Sequence, residues 1–269
     1  MPKININQVE YHYTDTEEGA ETIVFSHGLL WSGYMFHKQE TFFKNRYRII
    51  TYDHRGQGQT QATAGGYDMD TLTDDAVALI EALCPNQKVH FAGLSMGGFV
   101  AMRLAARHPN LLKSVILMET SADAEPQENV PKYSTLNTVV KWLGTWAVVG
   151  KVMPIMFGKK FLTDPNRKVE RGEWKAQMKL CKAPGIVKAV AGVINRQPIY
   201  EELKNISLPT LIMVGTQDVA TVPAKAERIH KAITGSMLVY IEGGGHTSSI
   251  EEPQQVNTAI EAFLTTVKS

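Results

Sequence analysis

The chain has 269 residues, enough to bury one sizeable core with a small inserted unit, and it shows no repeat period. Its 28 basic and 27 acidic residues leave a formal net charge of +1 with no long run of one sign, which argues against a nucleic-acid or anionic-membrane surface. The start, MPKININQVEYHY, lacks the apolar core of a signal peptide, no stretch is long enough to span a membrane, and Cys84 and Cys181 lie far apart outside any CxxC pair; a soluble cytoplasmic protein with neither a disulfide framework nor a metal site is expected.

Val9 to Tyr13 alternates in the manner of a strand with one wet face, and His12 reads there as a surface residue. Thr22 to Ser26 is a β-rich apolar run that ends on His27-Gly28-Leu29-Leu30. A glycine at the end of a buried strand lets the chain turn sharply and aim backbone N–H groups into a cleft, which nominates Leu29 as a donor. Phe36 to Lys44 predicts a short helix and Tyr47 to Tyr52 a strand. The turn Asp53-His54-Arg55-Gly56-Gln57-Gly58 follows; Gln61 stands where a dinucleotide fingerprint needs its third glycine, so the charges of this turn are expected to tie the loop together. Leu72, Ala76, Leu79, Ile80 and Leu83 mark a helix over Asp70 to Cys84, stopped by Pro85.

Val89 to Ala92 is a short buried strand and Phe99 to Ala106 a helix, with Gly93-Leu94-Ser95-Met96-Gly97 between them. A strand passing straight into a helix brings backbones together, so the flanking positions need residues with little side chain, and the turn holds Ser95 in strained geometry with its hydroxyl exposed above the sheet. Leu112 to Met118 is a further strand, so the alternation of strands and helices implies a parallel sheet with helices on both faces. From Glu125 to Pro198 no strand is convincing. Leu136, Val139, Val140, Leu143 and Trp146 mark an amphipathic helix, and helical pattern also surrounds Trp174 to Leu180. The insertion's Trp142, Trp146, Met153, Met156, Phe157, Phe161, Trp174 and Met178 are expected mostly to fill its own core, with a few lining an apolar cavity over Ser95. Its Gly150-Lys151 pair has the wrong spacing for a phosphate loop, and Val152 stands where Ser or Thr is needed. These boundaries divide the chain into a core of residues 1–124 and 199–269 and a helical unit of residues 125–198.

The α/β pattern resumes with Thr210 to Val214, which runs into Gly215-Thr216-Gln217-Asp218, then a helix over Val222 to Ile233 and a strand over Met237 to Ile241 that ends in Gly243-Gly244-Gly245-His246. Val256, Ile260, Phe263, Leu264 and Val267 define a closing helix. Ser95, Asp218 and His246 each follow a separate strand at one edge of the sheet, where ligands meet open α/β sheets. A serine hydroxyl needs an adjacent base, and the base needs a third group to orient it, so Ser95 is the candidate nucleophile, His246 the base and Asp218 the acid. The order Ser, Asp, His is the one associated with G-x-S-x-G hydrolases on this type of sheet. Backbone N–H groups of Leu29 and Met96 are the candidate oxyanion donors.

With HGLL at 27–30, DHRGQG at 53–58, GLSMGG at 93–98, GTQD at 215–218 and GGGH at 243–246, the chain resembles the α/β-hydrolase superfamily over essentially its whole length, in the group with a helical cap. GLSMGG and HTSSIEEP at 246–253 are similar to small bacterial carboxylesterases, enol-lactonases and cofactor-free haloperoxidase-like esterases. Thr60 departs from the serine that relatives often carry there. Relatives that place the acid after an earlier strand nominate Glu119, but the GTQD context favours Asp218. The resemblance implies a cofactor-free serine hydrolase acting on small esters or lactones. Hydrolysis of a carbon–carbon bond in a diketone and a low-turnover ligand-binding receptor are the alternatives on the same fold.

Overall fold

The computed structural model describes residues 2–267; residues 1, 268 and 269, which the expected core range includes, lie outside the described residues. Eight strands form one sheet in the order β1-β2-β4-β3-β5-β6-β7-β8. They are β1 (Lys3–Ile6), β2 (Val9–Asp15), β3 (Thr22–Ser26), β4 (Arg48–Tyr52), β5 (Val89–Leu94), β6 (Leu112–Met118), β7 (Thr210–Gly215) and β8 (Met237–Ile241). β1 and β2 pair antiparallel at one edge, and every pairing from β4 through β8 is parallel. β1 has no counterpart in the sequence expectations, because four residues with one fully buried side chain carry too little apolar pattern.

The central strands read as unbroken apolar runs because both sheet faces are covered. Within them alternate residues part company: Val24, Phe91, Val115, Leu117 and Ile212 join one cluster, whereas Ile23, Phe25, Ile116, Leu211 and Met213 join the other. Helices α2 (Met69–Leu83), α3 (Met96–Arg107) and α9 (Pro223–Ala232) supply the first face. Helices α1 (His37–Phe43) and α11 (Pro253–Leu264) supply the second. The short α10 (Ser248–Glu251) precedes α11. Asp68 starts α2 by accepting from the Thr71 N–H at 2.9 Å, satisfying a donor that the first helical turn leaves free. The helix expected over residues 36–44 is divided, since Gly33–Phe36 winds more tightly before α1 begins.

Between β6 and β7 the chain forms helices α4 (Val130–Leu143), α5 (Val149–Met156), α6 (Lys159–Thr163), α7 (Lys168–Leu180) and α8 (Ala183–Ile194). Phe157, Phe161, Trp174 and Met178 are buried as expected, continuous with the second sheet-face cluster. Trp142 and Trp146 are not: they are 75% and 64% exposed, and Leu143 is exposed beside them. The reason is local. α4 ends at Gly144, whose φ of +86° breaks the helical period before Trp146, and Trp142 lies off the face that carries Val140.

His12 is a second correction. It is buried, with Nδ1 3.0 Å from Asp53 Oδ2, because the turn after β4 folds over this end of β2. Asp53 also accepts from Gly33 N–H at 2.7 Å and Gln59 N–H at 2.8 Å, and Arg55 pairs with Asp75. The charged turn thus binds its own loops together, as its composition suggested. Cys84 and Cys181 are free thiols, and no described helix is long and apolar enough to cross a membrane.

Candidate active site

Ser95 sits between β5 and α3 with φ +53° and ψ −109°, a left-handed conformation that a non-glycine residue adopts only under constraint. Its neighbours provide the constraint. A Cβ on Gly93 would overlap the carbonyl of Gly97, and one on Gly97 would overlap the carbonyl of Ser26 on β3. The Ser95 N–H donates to Met118 O at 2.9 Å, and its own carbonyl accepts from Thr120 Oγ1 at 2.9 Å. The turn is therefore held at both ends while the hydroxyl stays free to face the loops beyond β7 and β8.

Those loops bring the other two residues to it. His246 Nε2 lies 2.8 Å from Ser95 Oγ, and His246 Nδ1 lies 2.9 Å from Asp218 Oδ2. The two loops are laced to each other, Thr216 N–H donating to Ile241 O at 3.0 Å and Gln217 N–H to Gly244 O at 2.8 Å. Asp218 is buried, which by itself would raise its pKa; the adjacent His246 and the bonds from Thr221 outweigh this and hold the carboxyl below its ordinary range. Asp218 Oδ1 accepts from the N–H groups of Ala220 and Thr221 at 2.8 and 3.0 Å, and Thr221 Oγ1 donates to Oδ2 at 2.7 Å. An ionised Asp218 keeps the proton of His246 on Nδ1, leaving Nε2 as the acceptor that faces the serine.

Glu119, the other candidate acid, ends β6 and is fully buried, with neither carboxylate oxygen in hydrogen-bond geometry. Burial pushes its carboxyl well above the usual carboxylate range, and nearby Asp218 and Glu251 add in the same direction. Its buried setting favours the protonated form, and it makes no bond to His246.

The expected N–H donors flank the serine. Met96 is the first residue of α3, so its N–H has no intrahelical acceptor. Leu29 lines the same cavity as Ser95, and its peptide is oriented by His27. The buried His27 ring has its pKa lowered by desolvation and stays neutral; Nδ1–H donates to Gly28 O at 2.7 Å while Nε2 accepts the His54 N–H at 2.9 Å. In a trans peptide the carbonyl and the following N–H point oppositely, so pinning Gly28 O turns the Leu29 N–H away from His27. Next to it Leu30 is held at φ +70° by Gln57, whose Oε1 accepts the Leu30 N–H at 2.9 Å.

His27, Gln57 and Glu251 are the supports that the sequence reading did not single out. Glu251 is buried at the end of α10, and its Oε1 accepts from Gly245 N–H at 3.0 Å and Thr247 N–H at 3.2 Å, the residues on either side of His246. Its Oε2 accepts from Gly158 N–H of the insertion at 2.8 Å. Burial pushes this carboxyl up to about 7 against those donors. The only available signal was its place in HTSSIEEP, five residues beyond His246.

Above Ser95 lies a cavity of about 120 Å³, room for roughly eight to twelve waters where each needs about 10–15 Å³. The insertion lines it with Leu136, Val140, Val152, Met156, Ile186 and Val190, so Met156 is the only residue of the aromatic and methionine set expected to face this cavity that does so. Among the described residues no group of three or more His, Cys, Asp or Glu side chains is gathered closely enough to hold a metal ion.

A mostly parallel sheet with helices on both faces and a strained serine turn at its carboxyl edge defines a hydrolase fold. The chain matches the alpha/beta hydrolase fold family over residues 21–253 and belongs to it. It is 30% identical over 269 residues to the putative non-heme bromoperoxidase BpoC of Mycobacterium tuberculosis, covering 96% of this chain and 98% of that protein. The enol-lactonase of Burkholderia xenovorans LB400 superposes with a TM-score of 0.91 at 27% identity, covering 98% of this chain and all of that one. A thermophilic esterase from Thermogutta terrifontis gives a TM-score of 0.91 at 25% identity, covering 100% and 99%.

Proposed function

We propose that this protein is a serine hydrolase that cleaves carboxylic esters or lactones through an acyl-enzyme, with residues 125–198 acting as a cap over the site. The observation that carries this reading is the continuous hydrogen-bonded chain Ser95 Oγ to His246 Nε2 to Asp218 Oδ2, at 2.8 and 2.9 Å, on the floor of an apolar cavity. Similarity to an enol-lactonase and an esterase supports the same class of bond.

In this scheme Ser95 Oγ attacks the substrate carbonyl as its proton passes to His246 Nε2, and the resulting imidazolium is stabilised by ionised Asp218. Negative charge on the former carbonyl oxygen is met by the N–H groups of Leu29 and Met96, each such donor contributing about 2.7–4 kcal/mol in other hydrolases. His246 returns the proton to the departing alkoxide, which leaves as the alcohol or, from a lactone, stays tethered to the acyl chain. A water deprotonated by His246 then attacks the Ser95 ester, releasing the acid and restoring the serine. The test is turnover of a short p-nitrophenyl ester and an aliphatic lactone by the wild type beside Ser95→Ala. A loss of roughly 10⁶-fold in kcat with an unchanged Tm is expected. Ester turnover undiminished in Ser95→Ala, or no turnover of any ester or lactone by the wild type, contradicts the proposal.

A further inference from the structure

The only acidic or cationic side chains among the described residues lining the cavity over Ser95 are Glu125 and Arg196, and they are bonded to each other: Arg196 Nη1 donates to Glu125 Oε2 at 2.6 Å. Both are almost wholly withdrawn from solvent, with side chains 9% and 4% exposed. Each already neutralises the other's charge. Glu125 Oε1 accepts from Asn129 Nδ2 at 2.9 Å, while Arg196 donates from Nε to Asp123 O at 3.0 Å and from Nη1 to Val193 O at 2.9 Å. The guanidinium also lies 4.4 Å from the centroid of the Phe99 ring. Two further cations, Lys225 and Arg228, are engaged by the Asp123 carboxylate at 2.7 and 3.2 Å.

We infer that the Glu125–Arg196 pair makes this cavity select uncharged esters or lactones and reject those that carry a carboxylate on the acyl chain, an inference that rests on the hydrolase reading of Ser95. A substrate carboxylate that entered would meet a guanidinium whose charge Glu125 already neutralises, and would have to displace Glu125 or share Arg196 with it in a poorly solvated space. Breaking a buried ion pair strands a charge, and placing like charges together discriminates against the wrong ligand. An uncharged polar group meets no such barrier. Asn137 lines the same cavity with Oδ1 buried and unpartnered while its Nδ2 donates to Val187 O at 3.0 Å, so a neutral donor such as a primary amide or hydroxyl finds an acceptor there.

The test compares kcat/KM for the p-nitrophenyl esters of adipamate and of adipate monoanion, acyl chains of matched length and shape whose ends are an amide and a carboxylate. The non-enzymatic rate is subtracted with Ser95→Ala. The wild type is expected to favour the adipamate ester by at least about tenfold. Glu125→Gln, which keeps the shape and can still bond Arg196 but removes the negative charge, is expected to shift that ratio by about tenfold toward the anion. Arg196→Gln, which leaves Glu125 unpaired, is expected to move the ratio the other way. Labelling of Ser95 by a fluorophosphonate checks in each variant that the site is intact, and a variant that fails to label leaves the wild-type ratio and the other variant to decide. Equal use of the two esters by the wild type, or a ratio unmoved by Glu125→Gln in an enzyme that still labels, overturns the inference and leaves the hydrolase reading standing. Absence of labelling and of all ester turnover in the wild type overturns both.

Discussion

The strand ends and the helices above them are built on opposite terms. At the carboxyl edge of the sheet, Ser95 and Asp218 are fixed by backbone bonds and His246 by those of its neighbours Gly245 and Thr247, and the buried carboxyls there are shifted in opposite senses: Asp218 is held below its ordinary pKa and Glu119 well above it. The insertion contributes apolar surface, with Glu125 and Arg196 as the charged pair at its margins. Chemistry at the edge depends on the placement of single atoms, whereas the wall opposite depends on volume and net charge. Beside the His246 loop the regions are joined by polar contacts that include Glu251 with Gly158 at 2.8 Å, Thr247 Oγ1 with Met156 O at 2.9 Å, and Lys160 N–H with Gln217 Oε1 at 3.1 Å.

The largest way to break this contrast is to remove the charge that orients the base. Asp218→Asn leaves shape intact but loses the anion that fixes the His246 tautomer, and kcat for a short ester should fall by about 10⁴-fold. Glu119→Gln should change kcat by no more than a few-fold. The reverse result would make Glu119 the working acid and contradict the assignment of charge at the edge.

A smaller effect is expected where edge and insertion join. Glu251→Ala frees both neighbours of His246 and the Gly158 contact together, and a displacement of about 1 Å at the base costs on the order of 10²-fold in kcat. Because the Glu251 carboxyl is pushed up to about 7, any inflection that its titration gives the wild-type pH–rate profile near that pH should be absent from the alanine variant. An unchanged kcat would show that the His246 loop does not depend on this strap.

The smallest effect is on stability. Glu119 has its pKa raised by burial above its ordinary value of 4.5, so its favourable contribution is complete below that pH and is lost as pH rises toward its folded value. Glu119→Gln has no proton to lose. Its Tm relative to wild type should rise by a few degrees, on the order of 2–4 °C for each kcal/mol, as pH is taken from about 5 to about 8. A difference that is flat with pH would mean that Glu119 is ionised in the folded protein.

The edge was the legible half of the molecule. A strained turn with a serine at its centre needs small residues at fixed offsets, so Gly93, Ser95 and Gly97 announce it in the chain, and strands buried on both faces must be continuous apolar runs. His27, Gln57 and Glu251 carry no comparable pattern. They lie within HGLL, DHRGQG and HTSSIEEP, but each acts on backbone groups that only the folded chain brings to it, so the motifs mark their positions without giving their roles. The insertion was readable as helical but not in its facing, because apolar composition without a sustained period does not say which side meets solvent. Trp146 follows the period of α4 on paper, yet the helix stops at Gly144 and leaves it exposed, and Leu143 in the last turn is exposed with it. His12 failed for the converse reason: one alternating strand does not reveal that the turn carrying Asp53 will cover it.

The central claim is that the hydroxyl of Ser95 is an activated nucleophile, and the most direct measurement is the intact mass of the protein after exposure to a fluorophosphonate, with wild type beside Ser95→Ala. The account predicts a single adduct on the wild type, located at Ser95, and none on the variant. An adduct that persists in Ser95→Ala, or a wild type that remains unmodified, would contradict it.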